Sequence, residues 1–463
     1  MTEPALQGRK VTVVGLAKSG AAAARLCARE GARVTVTDRR GAGDLAGALA
    51  ALDGVDVRRH LGGHDRADFE GADLVVASPG VPLAIPEIAA ARSRGIPVWG
   101  EVELAARFLR GTPIVAITGT NGKSTTTALA GALFARDRRT FTGGNLGTPL
   151  CELILSGERV DAVVLELSSF QIEGVERLRP RVAAILNVTP DHLDRYRDVE
   201  AYAAAKARLF GLQEPGDAAV ANARDDRAVA MASASRGALH TFGFGPSAPR
   251  AARDPGGDSG ALALSLGAGA GAGATERYLV RSRALRGRHN RENAMAAVLC
   301  ARLLGVPGAA VQAGLDAFPG LPHRLELVSE RGGVEWVNDS KATNVDSTLV
   351  GLSAFPPARP RVVLIMGGRG KGAPYAPLRP LFEGRVKALL TIGEDSPRVE
   401  AELGDLCRTE PCGTLAQAVQ RAAGIASPGE VVLLSPACAS YDQFRSYEER
   451  GDAFRRHVQE LSR

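Results

Sequence analysis

The stretch PIVAITGTNGKSTTTALAGALFA, residues 113–135, joins a β-branched run, a loop rich in glycine and hydroxyl residues, and an alanine-rich run. A loop that binds phosphate needs glycines so that backbone N–H groups can surround the anion, a lysine for the β- and γ-phosphates, and a hydroxyl for Mg²⁺. All three are present, although the spacing is shorter than the usual GxxxxGK[ST]. The sequence therefore predicts a nucleoside triphosphate site formed by Gly119, Thr120, Asn121, Gly122, Lys123, Ser124 and Thr125.

Outward from this loop, short β-branched runs alternate with alanine-rich helical runs along the chain. That alternation is typical of βαβ units with parallel sheets. One cycle begins at KVTVVG (10–15), a second at PIVAITGT (113–120), and a third after FPGLPHR (318–324). At about 150 residues per domain, 463 residues indicate about three domains. We predict an α/β fold whose domains span residues 1–100, 101–320 and 321–463.

The composition is that of a folded chain, with 45% hydrophobic and 23% charged residues, which excludes collagenous, coiled-coil and wholly disordered proteins. The net charge of +6 comes from basic residues spread among acidic ones. We therefore predict no nucleic-acid partner, and local sites for anionic small molecules instead. The six cysteines lack CxxC spacing, and neither a signal peptide nor an apolar run of membrane-spanning length is recognisable. We expect a cytoplasmic protein without a membrane partner.

Residues 246–275 differ from the rest, because Gly, Ala and Pro dominate and little periodicity is visible. The segment begins PSAPRAARDPGGDSG and ends in a Gly-Ala tract. Such a composition is typical of loops rather than of packed elements. We interpret the segment as a flexible surface insertion.

Two polar residues follow consecutive strands of the second cycle. Glu166 ends DAVVLEL, and His192 follows VAAILNV within NVTPDHLDRY. Because α/β sheets bind ligands at the carboxyl edge of their strands, both positions favour a role beside the phosphates or a metal. Taken singly, a strand-end glutamate is as often a cap or a solvated residue, and a lone histidine is more often a satisfied polar side chain. Composition alone predicts that Lys206, in EAYAAAKARLF, is a solvated surface lysine.

The first cycle carries an incomplete dinucleotide fingerprint. VVGLAKSG places Gly15 and Gly20 after the first strand, and Asp38 closes the second strand. Ala17 stands where a middle glycine would let a pyrophosphate approach closely. We therefore predict a related anion or nucleotide site at this edge, and the alternative is a purely structural turn. The predicted lining comprises Ser19, Asp38, Arg39 and the Ser78-Pro79-Gly80 turn.

Polar loops also follow strands of the third cycle. NDSKATN (338–344) comes after the strand VEWV, and its Lys341 and Thr343 are suited to binding a carboxylate, although a generic polar turn is the alternative. GGRGKG (367–372) is a second glycine-rich loop with a lysine, and SPACAS ends the final strand at Ser440.

Taken in order, these motifs resemble those of the ATP-dependent Mur ligases, most closely the type that adds D-glutamate. The ordered series covers nearly the whole chain and comprises GLAKSG, SPG, TGTNGKST, GGNLG, LELSSFQ, NVTPDHLDRY, AAKARLF, GRHNRENAMAA, LPHRLE, NDSKATN, GGRGKG and SPACASYDQF. Within the superfamily NDSKATN is the discriminating motif. The resemblance implies an N-terminal Rossmann-like domain for the UDP part of the substrate, a central P-loop ATPase domain, and a C-terminal Rossmann-like domain for the amino acid.

The resemblance also implies the reaction. ATP would convert the alanyl carboxylate of UDP-N-acetylmuramoyl-L-alanine into an acyl phosphate, which D-glutamate would then attack, in peptidoglycan precursor synthesis and cell-wall biogenesis. Lys123 would hold the β- and γ-phosphates, and Ser124 with Glu166 would ligate one Mg²⁺. His192 would ligate a second Mg²⁺ together with Lys206 as a carbamate, since a carbamate is an anionic oxygen ligand of the kind that Mg²⁺ prefers.

Further roles follow from the same resemblance. Asn145 and His192 would contact the bound sugar-nucleotide substrate, and Asn293 would lie near the adenine. His323 and Arg324 would approach the nucleotide, as would Asp339. Asp339, Lys341 and Thr343 would belong to the loop nearest the nucleotide and the amino acid, and the predicted D-glutamate pocket comprises Lys371, Ser440 and Tyr447.

Other functions remain open at the level of sequence. The first alternative is another Mur-type or folylpolyglutamate-type amide ligase, which would differ in the amino acid it accepts. A P-loop switch or motor, a nicotinamide-dependent oxidoreductase and a catalytically silent nucleotide-sugar-binding protein are further alternatives. We predict that the partners are small-molecule substrates and that the protein is a monomer.

Overall fold

The computed structural model describes residues 5–244, 251–254, 261–266, 275–357 and 361–461. The chain forms two compact units: unit 1 comprises Met1–Val280 with Glu292–Asp316, and unit 2 comprises Arg281–Arg291 with Ala317–Arg463. Within the described ranges there are three sheets, two in unit 1 and one in unit 2. The predicted α/β class with parallel-rich sheets is confirmed. The boundaries after residues 100 and 320 stay a prediction.

The first sheet of unit 1 is built from β-branched runs that alternate with short helices. Its elements are β1 (Lys10–Val14), α1 (Lys18–Arg29), β2 (Arg33–Asp38), α2 (Ala46–Ala50), β3 (Val57–Leu61), α3 (Arg66–Glu70), β4 (Leu74–Ala77), α4 (Pro86–Ser93), β5 (Val98–Gly100) and α5 (Glu101–Ala106). Its five strands are all parallel, in the order β3-β2-β1-β4-β5. The carboxyl ends of β1, β2 and β4 therefore share one edge, where a ligand can bind.

The second sheet of unit 1 contains the phosphate loop. Its elements are β6 (Ile114–Thr118), α6 (Lys123–Ala135), β7 (Thr140–Gly144), α7 (Leu150–Ser156), β8 (Ala162–Glu166), α8 (Ser169–Glu173), β9 (Val182–Ile185), α9 (Val199–Gly211), β10 (Ala218–Asn222), α10 (Asp226–Ser233), β11 (Ala238–Phe244), β12 (Ala252–Asp254), β13 (Ala261–Leu264), β14 (Glu276–Leu279), α11 (Arg288–Leu303) and α12 (Gly308–Ala317). The order is β14-β13-β12-β11-β10-β9-β6-β8-β7, and only the pairs of β13 are antiparallel. Strand β6 is fully buried between β8 and β9.

Strands β12 and β13 correct one sequence-based prediction. The interpretation of residues 246–275 as a flexible surface insertion is wrong for these strands, because both pair within the sheet and all four residues of β13 are buried. Alanine and leucine side chains are apolar, and neighbouring strands on both sides of β13 complete its hydrogen bonds. Residues 246–250, 255–260 and 267–274 of this segment lie outside the described residues.

The two sheets of unit 1 share one hydrophobic core. Helix α1 packs on α5 and α7, and its buried alanines at positions 21–24 permit a close approach. The connection between the sheets is fixed by Glu103 on α5, whose Oε2 accepts three backbone N–H groups of residues 176–178 at 2.9–3.0 Å. Its Oε1 accepts a hydrogen bond from Nε of Arg107 at 2.8 Å, and the Arg107 guanidinium lies 3.7 Å from the centre of the Trp99 ring.

The sheet of unit 2 has six strands in the order β15-β16-β20-β17-β18-β19. Its elements are β15 (Glu326–Arg331), β16 (Val334–Asn338), α13 (Val345–Ser353), β17 (Val362–Gly367), α14 (Arg379–Phe382), β18 (Val386–Ile392), α15 (Ser396–Leu403), β19 (Arg408–Gly413), α16 (Leu415–Ile425), β20 (Val431–Leu434) and α17 (Tyr447–Glu460). Only the β15–β16 pair is antiparallel. Short 3-10 turns occur at Ala42–Leu45, Arg283–Leu285 and Ala376–Leu378. Across the described ranges, no helix has both the length and the apolar character needed to cross a membrane.

Candidate active site

The phosphate loop connects β6 to α6, and its two glycines determine its shape. Gly119 and Gly122 have φ angles of +147° and +85°, which other residues rarely adopt. The end of the neighbouring strand holds the loop, because Asn187 accepts the N–H of Thr120 at its backbone oxygen (2.9 Å) and the N–H of Asn121 at Oδ1 (2.8 Å). The loop is therefore held in a fixed shape by residues of the chain itself.

Lys123 begins α6 with its ammonium folded over the loop. Its Nζ donates to the backbone oxygens of Gly119 (2.9 Å) and Thr120 (2.8 Å). Ser124 and Thr125 follow in the first helical turn and are partly buried. A positive side chain, two hydroxyl groups and the N-terminus of a helix thus meet at one loop, which is an arrangement suited to a polyphosphate.

Asn293, on α11, packs against this loop. Its side chain is buried, and a Cβ at position 122 would collide with its Oδ1. Gly122 is therefore required for this close approach as well as for its backbone conformation. The contact of Asn293 with adenine stays a prediction.

Glu166 ends β8 and lies beside Ile117 in the parallel register of β6 and β8. Its carboxylate is 2% exposed. Oε1 accepts Nδ2 of Asn145 at 2.7 Å, and the backbone N–H of Asn145 donates to the backbone oxygen of Glu166 at 2.9 Å. In the part of the chain that the structure describes, no donor lies within hydrogen-bond distance of the buried Oε2. A buried carboxylate oxygen without a donor has the chemistry of a cation ligand.

Lys206 lies on α9 and is 1% exposed, so the expectation from composition that it is a solvated surface lysine is wrong. Tertiary packing causes this burial, because α9 places the Lys206 side chain against the phosphate loop. Its Nζ donates to the backbone oxygen of Gly119 (3.1 Å) and to Oγ1 of Thr118 (3.4 Å), and lies 4.5 Å from the Tyr202 ring. Burial, and then the nearby charge of Lys123, lower the pKa of Lys206 to about 7.

His192 lies on the segment between β9 and α9 with a φ of +53°, in the left-handed region. Its ring centroid lies 4.8 Å from that of Phe170 and 6.1 Å from that of Tyr202. The ring remains partly exposed, and its Nε2 lies 3.6 Å from Oδ2 of Asp191. Tyr202 therefore contacts both His192 and Lys206, two residues that the family resemblance assigns to one metal site.

A cleft of about 610 Å³ lies at the carboxyl edge of the first sheet. The predicted residues Ser19, Asp38, Arg39 and Ser78 line it, together with Asn145 and Gln171 from the second sheet. Ser78 closes the fingerprint turn, because its Oγ donates to the backbone oxygen of Gly15 at 2.6 Å. The structure thus brings the predicted residues of the first cycle together in one cleft.

Asp38 is held at the floor of this cleft. Its Oδ2 accepts the backbone N–H of Leu16 at 2.7 Å and Nη2 of Arg40 at 2.8 Å. Burial acts to raise the pKa of Asp38, but the hydrogen bonds from Arg40 and Leu16 outweigh it and lower the pKa to about 2. Sequence analysis named Arg39 and missed Arg40, although both line the cleft. The sequence did carry one signal for Arg40, because it stands two residues after Asp38, an acidic residue at the end of a strand.

Arg195 is a second residue that sequence analysis missed. Its guanidinium donates to the backbone oxygens of Pro79 (3.2 Å) and Val81 (3.3 Å), to Oε2 of Glu173 (3.1 Å), and lies 4.0 Å from the Phe170 ring. It therefore ties the turn that lines the cleft to the segment that carries His192. No sequence signal identifies it, since its partners are remote along the chain.

In unit 2, the predicted NDSKATN loop follows β16 and leads to α13. Lys341 donates from Nζ to the Tyr447 hydroxyl at 2.9 Å. Thr343, two residues later in the same loop, is partly buried. Asp339 is turned inward, where its Oδ1 accepts the N–H of Leu325 (3.2 Å) and its Oδ2 accepts Oγ of Ser435 (2.9 Å). Burial raises the pKa of Asp339 to about 7.

The remaining predicted residues of unit 2 differ in exposure. Lys371 is exposed, whereas Ser440 is buried at the end of the loop that follows β20. His323 is buried with φ +62°, and its Nδ1 lies 3.1 Å from Nδ2 of Asn338, with Arg324 as its neighbour. The contacts of these residues with nucleotide or amino acid stay predictions.

Comparison with known proteins identifies the family. A protein named UDP-N-acetylmuramoylalanine–D-glutamate ligase from Anaeromyxobacter dehalogenans (strain 2CP-C) is 76% identical over 463 residues, which is all of both chains. The chain belongs to the Mur ligase family. A Mur ligase of the same name from Myxococcus xanthus (strain DK1622) is 52% identical over 462 residues, 99% of each chain. The predicted resemblance is thereby confirmed.

Three models of Mur ligase domains match successive parts of the chain. They are the Mur ligase MurD-like N-terminal domain at residues 9–100, the Mur ligase middle domain at 117–301, and the Mur ligase glutamate ligase domain at 323–438. The family is ATP-dependent, which implies ATP and Mg²⁺ for this Mur ligase.

Solved structures of Mur ligases share the fold at low sequence identity. The UDP-N-acetylmuramate-alanine ligase from Thermotoga maritima matches with a TM-score of 0.59 at 20% identity, covering 97% of this chain and 99% of that one. The MurF protein from Acinetobacter baumannii matches with a TM-score of 0.61 at 17% identity, covering 94% of this chain and 86% of that one. These similarities confirm the predicted three-domain fold.

Proposed function

We propose that this Mur ligase joins D-glutamate to UDP-N-acetylmuramoyl-L-alanine with ATP, in peptidoglycan precursor synthesis. The observation that carries the proposal is that one sheet edge gathers the phosphate loop, Glu166 and Lys206, while Asn145 links Glu166 to the cleft of the first sheet. The relatives that are 76% and 52% identical over the full chain carry a name that states this reaction.

The proposed chemistry has two steps. An oxygen of the alanyl carboxylate attacks the γ-phosphorus of ATP, the bond from that phosphorus to ADP breaks, and an acyl phosphate forms. The amine nitrogen of D-glutamate then attacks the acyl carbon, the bond from carbon to the phosphate oxygen breaks, and the nitrogen loses a proton as the amide forms. The protein's main task in such a sequence is to position anions and neutralise their charge.

For ATP, we assign the phosphate loop from Gly119 to Thr125, with Lys123 as the cation for the β- and γ-phosphates. Lys123 is suited to this role because its Nζ already lies over two loop oxygens, and a phosphate oxygen can replace either one. Asn293 is assigned to the adenine because it packs against Gly122 of that loop. Arg324 and Asp339 are further assigned to the nucleotide on the family resemblance alone.

For Mg²⁺, we assign two ions, one held by Ser124 and Glu166 and one by His192 and Lys206. The buried Oε2 of Glu166, which no donor of the described residues reaches, fits an oxygen-seeking cation. Bound Mg²⁺ would offset the negative charge of the phosphate oxygens. Asn145 orients the carboxylate of Glu166 through the other oxygen, and we also assign Asn145 and His192 to the sugar-nucleotide substrate.

For Lys206, we propose a carbamate on Nζ. The amine is buried, and its two hydrogen-bond partners, Gly119 and Thr118, are neutral oxygens. A neutral amine nitrogen can attack the carbon of CO₂ and lose a proton, which gives a carbamate with two oxygen ligands. The nearby charge of Lys123 favours the neutral, reactive amine, and the carbamate that forms from it would be an anion that attracts a metal ion.

For the other two substrates, we assign each to a separate set of residues. The UDP part is assigned to the cleft with Ser19, Asp38, Arg39 and Ser78, whose size suits a nucleotide. The amino acid is assigned to residues of unit 2, where the ammonium of Lys341 is suited to a carboxylate. The full set is Lys341, Thr343, Lys371, Ser440 and Tyr447.

We further propose that the protein acts in the cytoplasm as a monomer, in three domains at 1–100, 101–320 and 321–463. All six cysteines are free of disulfides, which is typical of a reducing compartment. Sedimentation of the purified protein tests the monomer, and a sedimentation coefficient of a dimer would contradict it.

The activity is tested by phosphate release from ATP and Mg²⁺ with UDP-N-acetylmuramoyl-L-alanine present. D-Glutamate is compared with L-glutamate, L-lysine and meso-diaminopimelate. Release that depends on both the sugar nucleotide and D-glutamate supports the proposal. Release with another amino acid would make the protein a different amide ligase, and release without the sugar nucleotide would favour an NTPase.

A further inference from the structure

Among the arginines that the structure describes, Arg450 is the most deeply buried, and its hydrogen bonds all go to neutral oxygens. It lies in the first turn of α17 and is 1% exposed. Among the described residues, no carboxylate lies within ion-pair distance of its guanidinium, whereas Arg455 and Arg369 in the same unit both form ion pairs. The charge of Asp442 favours the guanidinium only from beyond ion-pair distance, and burying a charge without a direct ion pair is costly, so its presence calls for an explanation beyond packing.

The guanidinium of Arg450 joins two loops. Its Nε donates to Oγ of Ser340 (3.0 Å) and its Nη2 to the backbone oxygen of Ser340 (2.9 Å). On the other side, Nη2 donates to the backbone oxygen of Cys438 (3.1 Å) and Nη1 to that of Ala439 (3.3 Å). A planar group with a fixed fork of donors holds its acceptors in one geometry, which a flexible lysine cannot do.

Both loops carry residues that we assign to the amino acid. Ser340 directly precedes Lys341, and Ala439 directly precedes Ser440. Ser340 also donates from Oγ to the backbone oxygen of Tyr447 at 2.8 Å, while Lys341 donates to the Tyr447 hydroxyl at 2.9 Å. One side chain therefore fixes the spacing between the two loops.

The loop at 436–440 has a conformation that requires such support. Ala437 has a φ of +58°, which is unfavourable for a residue with a Cβ. The bonds that Arg450 makes to the next two carbonyls oppose relaxation of this loop. Burial lowers the pKa of Arg450 to about 10, so the guanidinium remains charged at neutral pH. The positive charge of Arg450 raises the electrostatic potential at both loops, and this favours a ligand with negative groups.

We propose that Arg450 is the positioning residue of the amino-acid site: it holds the loops at 338–344 and 436–440 at the spacing that a dicarboxylate amino acid needs. This inference rests on the proposed function for the identity of the amino acid. The positioning itself is a property of the chain and can be measured without any substrate.

The first test compares Arg450→Lys and Arg450→Met with Arg331→Lys and Arg331→Met. Arg331 is a matched control, because its Nη1 also donates to two backbone oxygens, those of Val458 (2.6 Å) and Leu461 (2.8 Å), at the far end of α17. We expect Arg450→Lys to raise the KM for D-glutamate about tenfold and leave the KM for ATP within about twofold. The Arg331 variants should lower the Tm and leave both KM values unchanged.

The second test measures hydrogen exchange without ligands. In Arg450→Lys, amides of 338–344 and 436–440 should exchange faster than in the wild type, whereas in Arg331→Lys they should not. Ser340→Ala, which removes one acceptor of Arg450, should produce a smaller change at the same amides. If Arg450→Met does not fold, exchange in Ser340→Ala and Arg450→Lys still tests whether Arg450 holds the two loops.

The outcomes separate the two hypotheses. Unchanged exchange in both loops, or equal rises in the KM for ATP and D-glutamate, would overturn the role of Arg450. A wild-type protein that releases no phosphate with D-glutamate would overturn the proposed function, and faster exchange in Arg450→Lys would still support the positioning role.

Discussion

Lys206 illustrates how the surroundings of one residue determine its chemistry. A lysine in water is a solvated cation, but this one is buried, bonded to the neutral oxygens of Gly119 and Thr118, and opposed by the charge of Lys123. Desolvation and like charge both favour the neutral amine. A neutral amine is the reactive form toward CO₂, and its product is an anion.

Replacing Lys206 by alanine is expected to lower the rate of ligation about 100-fold or more, because the proposed metal ligand is lost. Added short carboxylates should restore part of the activity by occupying the space of the carbamate. The steady-state rate with and without acetate or propionate measures this. Lys387→Ala is the control, since Lys387 in unit 2 pairs with Glu430 at 2.7 Å. Full activity in Lys206→Ala would contradict the carbamate.

Glu101 is a buried carboxyl that the proposed chemistry does not use. Its Oε1 accepts the backbone N–H of Cys151 at 2.6 Å, and no donor among the described residues reaches its Oε2. Burial raises the pKa of Glu101 to about 7, against the opposing effect of the bond from Cys151. The folded chain therefore retains a proton that the unfolded chain has lost between about pH 4.5 and 7.

Because the folded state then binds more protons, the contribution of Glu101 to stability is complete below pH 4.5 and declines as the pH rises to 7. Glu101→Gln stays neutral at every pH and should lack this decline. We expect the free energy of unfolding of the wild type to fall relative to the variant by roughly 3 kcal/mol between pH 4.5 and 8. Urea titrations of both proteins at several pH values measure the difference, and parallel pH profiles would be inconsistent with a protonated Glu101.

At the scale of elements, the segment between β9 and α9 connects the phosphate loop of unit 1 with the cleft at the edge of its first sheet. It carries His192 beside Tyr202, whose hydroxyl lies 3.3 Å from Oγ1 of Thr120 in the phosphate loop, and it carries Arg195 to the turn at 78–81. Phe170 on α8 packs against both side chains, 4.8 Å from His192 and 4.0 Å from Arg195. A shift of this segment would thus change the cleft and the predicted metal ligand together.

Arg195→Ala is expected to raise the KM for the sugar nucleotide about tenfold and to lower kcat, because the cleft turn and His192 lose a shared support. The KM for ATP should stay within about twofold. Arg197→Ala is the matched control two residues away, since Arg197 is exposed and pairs with its neighbour Asp198. Equal effects of the two substitutions on the KM for the sugar nucleotide would refute the link.

At the scale of the whole molecule, the residues assigned to successive steps lie in different compact units. The phosphate loop, Glu166, Lys206 and the cleft belong to unit 1, while Lys341, Lys371, Ser440 and Tyr447 belong to unit 2. Formation of an acyl phosphate needs ATP and the alanyl carboxylate, and only the second step needs the amino acid. Substitutions at the amino-acid residues should therefore separate the steps.

Lys371→Ala is expected to raise the KM for D-glutamate at least about tenfold while leaving the first step intact, because an exposed ammonium there would meet only the incoming carboxylates. Rapid-quench measurement of ADP, with ATP and the sugar nucleotide but no D-glutamate, should give the same burst in variant and wild type. Lys123→Ala is the comparison, because it should lose the burst. A burst that disappears in Lys371→Ala would assign this lysine to the first step instead.

Much of the fold follows from local sequence pattern. The strands predicted from KVTVVG, PIVAIT, DAVVLEL and VEWV are β1, β6, β8 and β16, and the phosphate loop lies where its glycines and Lys123 predict. Strands β3 and β19 escaped prediction because they lie at sheet edges, where half-exposed charged residues such as those of VRRHL interrupt the apolar pattern. Strands β12 and β13 escaped it because alanine and glycine give little periodic signal.

The sequence by itself determined the α/β class, the phosphate loop and the order of the family motifs, because each depends on residues that are neighbours along the chain. Only the tertiary structure decided which side chains act together. Lys206 meets Thr118 across 88 positions, Arg195 meets Pro79 across 116, and Arg450 meets Ser340 across 110. Burial, and the pKa and hydrogen-bond demands that follow from it, arise from such remote contacts, which no local pattern of residues encodes.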